Sequence, residues 1–293
     1  MSDIDAPRRE LADFIRLEQL GVGAFQAHVH QANHVGGVFG GCLLAQALRA
    51  AELTAPARVP HSLHAHFLRF ARADQPVSYR VTSTRDGASF STRQVTALQN
   101  GGQVLEAVVS LQVPEAGFEH ESTWMRPPPA PESLPLLQEF AAAHADELPA
   151  IELDIINRFA TGMEARIVNA EDFLLRRSAP RGGLWLRPAM TAGREPGSGY
   201  AVLAFLSDYL MPAACNLPHV RSTYDPGLLA LSLDHVIWLH ASAPRDDWVF
   251  YEIESPWAGG GRGLNFGRLY SRDGRLLATS AQEQVIRSRA TVA

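Results

Sequence analysis

Hydrophobic and polar positions along this chain follow one order twice: a helical run, then a series of alternating segments. In "VFGGCLLAQALRAAEL" (38–53), Leu and Ala recur at helical spacing behind a glycine pair, which predicts a helix with a broad apolar face. The segments "HSLHAHFLRF", "VSYRVTSTR", "FSTRQVTALQ" and "QVLEAVVSLQV" come next. They alternate with the period of strands that bury one side. Later the order recurs, as "GSGYAVLAFLSDYL" followed by "LLALSLDHVIWLH", "DWVFYEIES", "GLNFGRLYS" and "RLLATSAQEQVIRS".

The recurrence extends to single residues. Ser232-Leu233 follows Ser62-Leu63 by 170 residues, and Ser280 and Gln282 follow Ser110 and Gln112 by the same 170. "QNGG" (99–102) and "SRDG" (271–274) occupy matching places between the last two strands of each set, and Asn-Gly and Asp-Gly are hairpin turns. Between the sets, "HESTWMRPPPAPESLP" (120–135) holds five prolines without periodicity and reads as a linker. The expectation is an α+β chain of two units, 1–119 and 136–293, joined by 120–135. Each unit lays an antiparallel sheet around one long helix. Two such sheets could join edge to edge.

Composition narrows the classes. The 293 residues are 46% hydrophobic and 19% charged, with net charge -5, an ordinary globular balance with no Lys/Arg run for a phosphate backbone. Nucleic acid is set aside. Cys42 and Cys215 stand far apart, outside any CxxC or zinc spacing, as reduced core thiols of a cytosolic protein do. No apolar stretch reaches a membrane span of about 20 residues. The start "MSDIDAPRRELADF" is too charged for a signal peptide, and "RSRATVA" at the end matches no lipid or peroxisomal address. The expected compartment is the cytoplasm.

GxSxG, HExxH, P-loop and GxGxxG patterns are all missing, which removes the usual support for serine hydrolase, zinc peptidase, NTPase and Rossmann readings. His28, His30 and His34, and again His61, His64 and His66, raise a metal site. No acidic or cysteine partner accompanies them, so a surface strand is the simpler reading.

Three polar residues in the second set stand out. Asp208 lies in "AVLAFLSDYLMP", among side chains a protein buries. An ionised group there needs a partner or a chemical purpose. Ser232 and Asp234, two apart on a strand, are expected on one face with Leu233 and His235 on the other. Gln282 sits among apolar neighbours on the last strand. Each has a structural alternative: an Arg partner or solvent for Asp208, and a satisfied backbone group for Ser232 and Gln282. Together, an acid, a hydroxyl and an amide could hold and polarise a water. Gly40 and Gly41 open the first helix, where unpaired N–H groups could stabilise an oxyanion, or could equally allow close packing.

"VFGGCLLAQAL", "HSLHAHFLR", "RDGASFSTRQVTALQNG", "PEAGFEHE", "LSDY", "LDHVIWLH" and "ATSAQE" together resemble the acyl-CoA thioesterase II (TesB-type) family, in order, from about residue 15 to 287. The resemblance implies a double hotdog fold. It also implies hydrolysis of acyl-CoA, with medium- to long-chain fatty acyl groups expected, to free acid and CoA without metal or organic cofactor. Its catalytic residues carry over as Asp208 of "LSDY", Ser232 two residues before "DH", and Gln282 of the last strand. Asp234 then serves as the control acid. The expected mechanism is attack by Asp208-activated water, with Ser232 and Gln282 holding the water and amides near Gly40 or Gly41 polarising the carbonyl. Cys42 departs from the family pattern, in which Gln is common at that place. Arg262 is the candidate contact for the anionic CoA, and open sheet edges suggest a homodimer or larger homo-oligomer.

Two rival readings remain. A hotdog hydratase or dehydratase needs a His paired with Asp or Glu near the helix, and none is expected around Asp208. A non-catalytic acyl-CoA binding or sensing protein would keep the fold without turnover.

Overall fold

The computed structural model describes residues 10–124, 126–159, 162–189, 199–221, 225, 227–244 and 246–289. The first half contains α1 (Leu11–Ile15), β1 (Glu18–Gly21), β2 (Ala24–Ala27), α2 (Gly40–Leu53), β3 (Val59–Phe67), β4 (Val77–Asp86), β5 (Phe90–Gln99) and β6 (Gly102–Gln112). The second contains α3 (Leu137–Ala143), α4 (Ala150–Phe159), β7 (Met163–Val168), α5 (Ala170–Leu174), β8 (Arg181–Pro188), α6 (Gly199–Leu206) and α7 (Ala213–Asn216). It ends with β9 (Leu228–Ser232), β10 (Asp234–Leu239), β11 (Val249–Gly259), β12 (Arg262–Ser271) and β13 (Leu276–Ser288). Gly197 and Ser198, in the expected glycine entry to the second helix, lie outside the described residues, as do the outer ends of the two expected units.

The strands form one sheet in the order β1-β2-β4-β5-β6-β3-β10-β13-β12-β11-β8-β7, with β9 also on β13. Each half therefore repeats the same path outward from its centre, which is the double hotdog arrangement. The join is β3 against β10, antiparallel from Asp234↔His66 to Trp238↔Ser62. That pairing uses up the inner edge of each half, so among the described residues the self-association expected from open edges is left with β1 and β7 at the ends of the path and the short β9, which pairs with β13 alone. Both halves close β-hairpins at the turns read from sequence: Asn100 and Gly101 take positive φ between β5 and β6, and Gly274 does so between β12 and β13. Two consecutive left-handed residues match the twist of the strands they connect.

Alternation on the sheet supplies the apolar face that α2 covers. Leu105, Ala107, Val109 and Leu111 of β6 are buried, as are Val95 and Ala97 of β5. The helix is enclosed almost all round, because α6 lies against its other side. Leu44 and Leu48 are wholly buried, and burial on that scale stabilises by roughly 1.5–3 kcal/mol per side chain. Gly41 sets the closeness of the two helices: a Cβ there would stand 2.5 Å from the Phe205 carbonyl oxygen.

The Ser110/Gln112 match to Ser280/Gln282 does not carry over to the faces. Ser110 and Gln112 alternate outward from the buried residues of β6, whereas Ser280, Gln282 and Gln284 are all buried on the inner face of β13. The shared spacing joined residues on opposite sides of the sheet. The described residues of 113–130 form neither helix nor strand. Trp124 there packs on Phe250 and Tyr270, and Trp185 Nε1 donates to the Pro129 carbonyl at 2.9 Å. Among the described residues no helix is long and apolar enough to cross a membrane.

In the second half, polar groups tie α7 to the sheet. Cys215 N donates to Asn265 Oδ1 at 3.0 Å, and Gln284 Nε2 donates to Asn216 Oδ1 at 3.0 Å. Gly263 faces the same helix, and a Cβ at Gly263 would collide with Cys215 Sγ. Gly263→Ala should cost about 1–3 kcal/mol in chemical denaturation, the usual range for overpacking. Adding Cys215→Ala should recover part of that loss, a coupling that two independent sites would not show.

Candidate active site

Asp208 is not inside a helix, as its apolar setting had suggested. It occupies the turn just past α6, where Ser207 N still bonds the Leu203 carbonyl at 2.9 Å and Tyr209 N bonds Leu206 at 3.0 Å. Leu210 then takes φ 54, a left-handed conformation that costs a non-glycine residue about 1–3 kcal/mol and turns the chain toward α7. The turn brings the Asp208 carboxylate to the start of α2. A Cβ on Gly40 would lie 2.6 Å from Asp208 Oδ2, so only glycine fits there.

The carboxylate is buried, and its Oδ1 has no hydrogen-bond partner among the described residues. Burial pushes its pKa up to about 7, partly offset by hydrogen bonding from the Gln282 amide and from the Gly41 N–H. No cation contributes. An acid held near neutrality is suited to exchanging a proton at physiological pH.

Gln282 and Ser232 meet at the same place: Gln282 Nε2 donates to Ser232 Oγ at 2.5 Å. The structure thus brings Asp208, Ser232, Gln282, Gly40 and Gly41 together from both halves. Gly41 N–H faces the Asp208 carboxylate and lowers its pKa. Gly40 N–H, one residue earlier at the open end of α2, has no partner among the described residues.

Strict alternation fails between β9 and β10, and the failure aims the site. Ser232 pairs with Gln284 and Val236 with Ala281, so the register slips by one around Leu233, which belongs to neither strand. Leu233 N bonds the Glu283 carbonyl, and its own carbonyl accepts from Phe67 N, both at 2.9 Å. A bulge of this kind re-aims side chains. Ser232 and His235 therefore both reach Gln282, not opposite faces as expected, while Asp234 turns aside to accept the Glu283 N–H at 2.8 Å. Asp234 caps the bulge and does not touch the cluster.

His235 is the residue that sequence reading missed. It is fully buried, with Nδ1 2.8 Å from Gln282 Oε1 and Nε2 2.8 Å from Ser207 Oγ. A histidine does stand near Asp208, contrary to expectation, but burial lowers its pKa to about 4. Among the described residues no histidine bonds to Ser232. Arg262 is not brought to the cluster: it sits half-exposed on the outer face of β12, paired with Glu283 at 2.9 Å and over the Trp257 ring. Cys42, at the departure from the family pattern, is buried; its Sγ accepts from Gln31 N at 3.4 Å, and burial pushes the thiol up to about 12. The histidine groups disperse: His28 bonds Glu18, and His30 lies in the core beside Gln46. Phe39, which with the Phe205 carbonyl borders Gly41, stacks edge to face on Phe159 and Phe205, and Phe159 does so on Tyr209.

Residues 29–112 match the family described as the acyl-CoA thioesterase N-terminal domain, and 131–286 the acyl-CoA thioesterase C-terminal domain. The chain is 37% identical over 263 residues to acyl-coenzyme A thioesterase 8 of Rattus norvegicus, covering 87% of this chain and 82% of the relative. It is 33% identical over 267 residues to acyl-CoA thioesterase 2 of Haemophilus influenzae, covering 85% and 87%. Among solved structures it is similar to acyl-CoA thioesterase II TesB2 from Mycobacterium marinum, at TM-score 0.74 and 29% identity over 96% of this chain and 98% of that one.

The burial of Asp208 has a measurable cost. Its carboxyl titrates near 3.8 when unfolded and is raised to about 7 in the fold. Between those values the unfolded chain releases its proton first, so this group's effect lowers stability as pH rises through the window and levels off above about 7. Asp208→Asn removes the effect. The variant should match wild type near pH 3.5 and exceed it at pH 8 by on the order of 2–4 kcal/mol, as read from denaturation at both pH values.

Proposed function

The chain belongs to the acyl-CoA thioesterase II (TesB-type) family of thioester hydrolases, and on that premise we propose that Asp208 activates a water for direct attack on a fatty acyl-CoA thioester. The observation that carries the reading is the unpartnered Oδ1 of a buried carboxylate whose pKa is pushed up to about 7. That oxygen takes a proton from water while the water oxygen bonds to the acyl carbon. The resulting tetrahedral oxyanion collapses with cleavage of the C–S bond, and Asp208 returns the proton to the departing CoA sulfur. The products are the free acid and CoA.

Ser232 holds the water, and Gln282, which donates to Ser232 and to the Asp208 carboxylate, holds the two groups that grip it. Because Ser232 Oγ already accepts from Gln282 Nε2, its own hydrogen is left for the water oxygen, which keeps a lone pair for the carbonyl. Ser232 is not the nucleophile in this reading, since no base stands on it. Gly40 N–H, at the positive end of α2, is the amide we assign to the developing oxyanion. The catalytic groups come from the unit 136–293, and the unit 1–119 lends its helix start.

The substrate we assign is a medium- to long-chain fatty acyl group, supported by the aromatic surroundings of Phe39, Phe159 and Phe205. The compartment we assign is the cytoplasm, where two unlinked buried thiols remain reduced. A homo-oligomer would use the free edges of β1, β7 or β9, and a 32 kDa species in gel filtration would exclude it.

Thiol release from C2 to C18 acyl-CoAs tests the mechanism. Asp208→Asn should lower kcat by roughly 10²–10⁴-fold with acyl-CoA binding retained, and wild-type kcat/KM should fall on the acid side of about pH 7. Asp234→Asn, which alters only the bulge cap, should stay within about threefold of wild type. Equal losses in the two variants would remove Asp208 from its role, and binding without release from any chain would make the protein an acyl-CoA sensor.

A further inference from the structure

The amide of Gln282 is useful to the site in only one of its two orientations. With Nε2 toward Ser232 and Asp208 it donates to both; turned over, it would set a carbonyl oxygen against the carboxylate. An amide does not choose between these faces by shape, because its oxygen and nitrogen are nearly equal in size. Something on the other side of Gln282 must decide.

We propose that His235 is a positioning residue that fixes this orientation by donating its Nδ1–H to Gln282 Oε1; the proposal rests on the reading of Asp208, Ser232 and Gln282 as the catalytic group. The hydrogen-bond ring determines the tautomer. Gln282 Oε1 lies 2.8 Å from Nδ1 and has no hydrogen to give, so Nδ1 carries the proton. Nε2 is then bare, and Ser207 Oγ, 2.8 Å away, donates to it. Ser207 is itself held: its carbonyl accepts from the Tyr251 hydroxyl, and its single hydroxyl hydrogen lies between two acceptors, His235 Nε2 at 2.8 Å and the Ala204 carbonyl at 3.0 Å, of which the imidazole is the closer. Since Ser207 precedes Asp208 in the chain, the ring runs from Asp208 through Gln282 and His235 to Ser207 and back to Asp208. One imidazole sets both the amide and the turn that carries the acid.

Burial keeps the imidazole neutral, with its pKa lowered to about 4, so the arrangement persists across the working range. The other titratable groups facing the ring are Cys42 from α2, Tyr251 from β11 and Asp234 from β10. Burial raises the thiol to about 12 and the phenol still further, leaving both neutral. Asp234 is engaged by the Glu283 N–H. Any change in the Asp208 titration on altering His235 therefore traces to Gln282 and Ser207.

The experiment compares full-length wild type with His235→Asn, whose amide N–H falls near the place of Nδ1, and with His235→Leu, which has no donor. His235→Gln keeps a polar side chain but carries its N–H near the place of Nε2, and serves if the Leu variant does not fold. Asp208 is titrated by NMR of carboxyl-labelled protein, assigned with Asp208→Asn, and thiol release is measured against pH. In the Leu or Gln variant the Asp208 midpoint should rise by about one unit, because the donor that lowers it is lost. The acid limb of kcat/KM should move with it, and kcat should fall by about tenfold or more while KM stays within about twofold. His235→Asn should retain the wild-type midpoint and kcat within about threefold. A folded Leu or Gln variant with unchanged midpoint and kcat overturns the proposal, as does an Asn variant that behaves like Leu. A shifted midpoint in a protein that releases no thiol would uphold the positioning role and reject the catalytic reading instead.

Discussion

Burying a carboxylate with no cation beside it costs several kcal/mol unless the group gives up its charge or finds donors, and the centre of this fold is arranged around that constraint at Asp208. The donors come from two directions: the Gln282 amide from the sheet, and the Gly41 N–H from the start of α2, the positive end of that helix's dipole. They offset only part of the burial, so the acid titrates near neutrality. Complete compensation would hold it as a permanent anion, a poor base. No compensation would keep it protonated. The stability lost to partial compensation is the usual accompaniment of a working site.

That compromise dictates the local backbone. Gly40 and Gly41 lack side chains because a carboxylate oxygen and the Phe205 carbonyl occupy the space. The α6 helix stops before Ser207, and Leu210 accepts a left-handed conformation, so that the acid swings toward α2 while the apolar residues before it stay on the sheet. On the sheet side, the bulge at Leu233 rotates Ser232 and His235 onto Gln282 together. It leaves the Glu283 N–H to be met by a side chain, and Asp234 meets it. The second acid near the site is there for backbone accounting.

The elements of the fold were legible because each rests on local periodicity: α2, the long strands, the Asn-Gly and Asp-Gly turns and the doubled order all follow from residues near in sequence. Asp208 was legible as a polar residue in an apolar run, and Ser232 and Gln282 mainly through the family motifs. The bulge was not. Nothing in "LSLDHV" marks the one residue at which alternation slips, since the slip depends on how two other strands, β3 and β13, take up the Leu233 carbonyl and N–H. His235 was placed on the wrong face for the same reason. Arg262 was selected by charge alone, and its partner Glu283 is a cross-strand neighbour that sequence distance conceals.

The bulge also bears on why a duplicated fold holds one site. Where β13 presents Ser280, Gln282 and Gln284 to the helix layer, β6 presents Leu105, Ala107, Val109 and Leu111. Near the end of α2 the buried acid is Glu52, with Arg49 one turn away at 3.4 Å. The first half thus has hydrocarbon where the second has amides, and an ion pair where the second has a lone acid. An apolar layer and a paired acid cost less to bury, so the first half can supply the packing that the second half gives up. Its contribution to the chemistry is the one element that needs no polar side chain, the glycine-opened start of a helix. The division of labour follows from the physics of burial: the apolar layer of the first half offsets the cost of the polar atoms that the second half buries without a partner, Asp208 Oδ1, Asn216 Nδ2, Asn265 Nδ2 and Gln284 Oε1 among them.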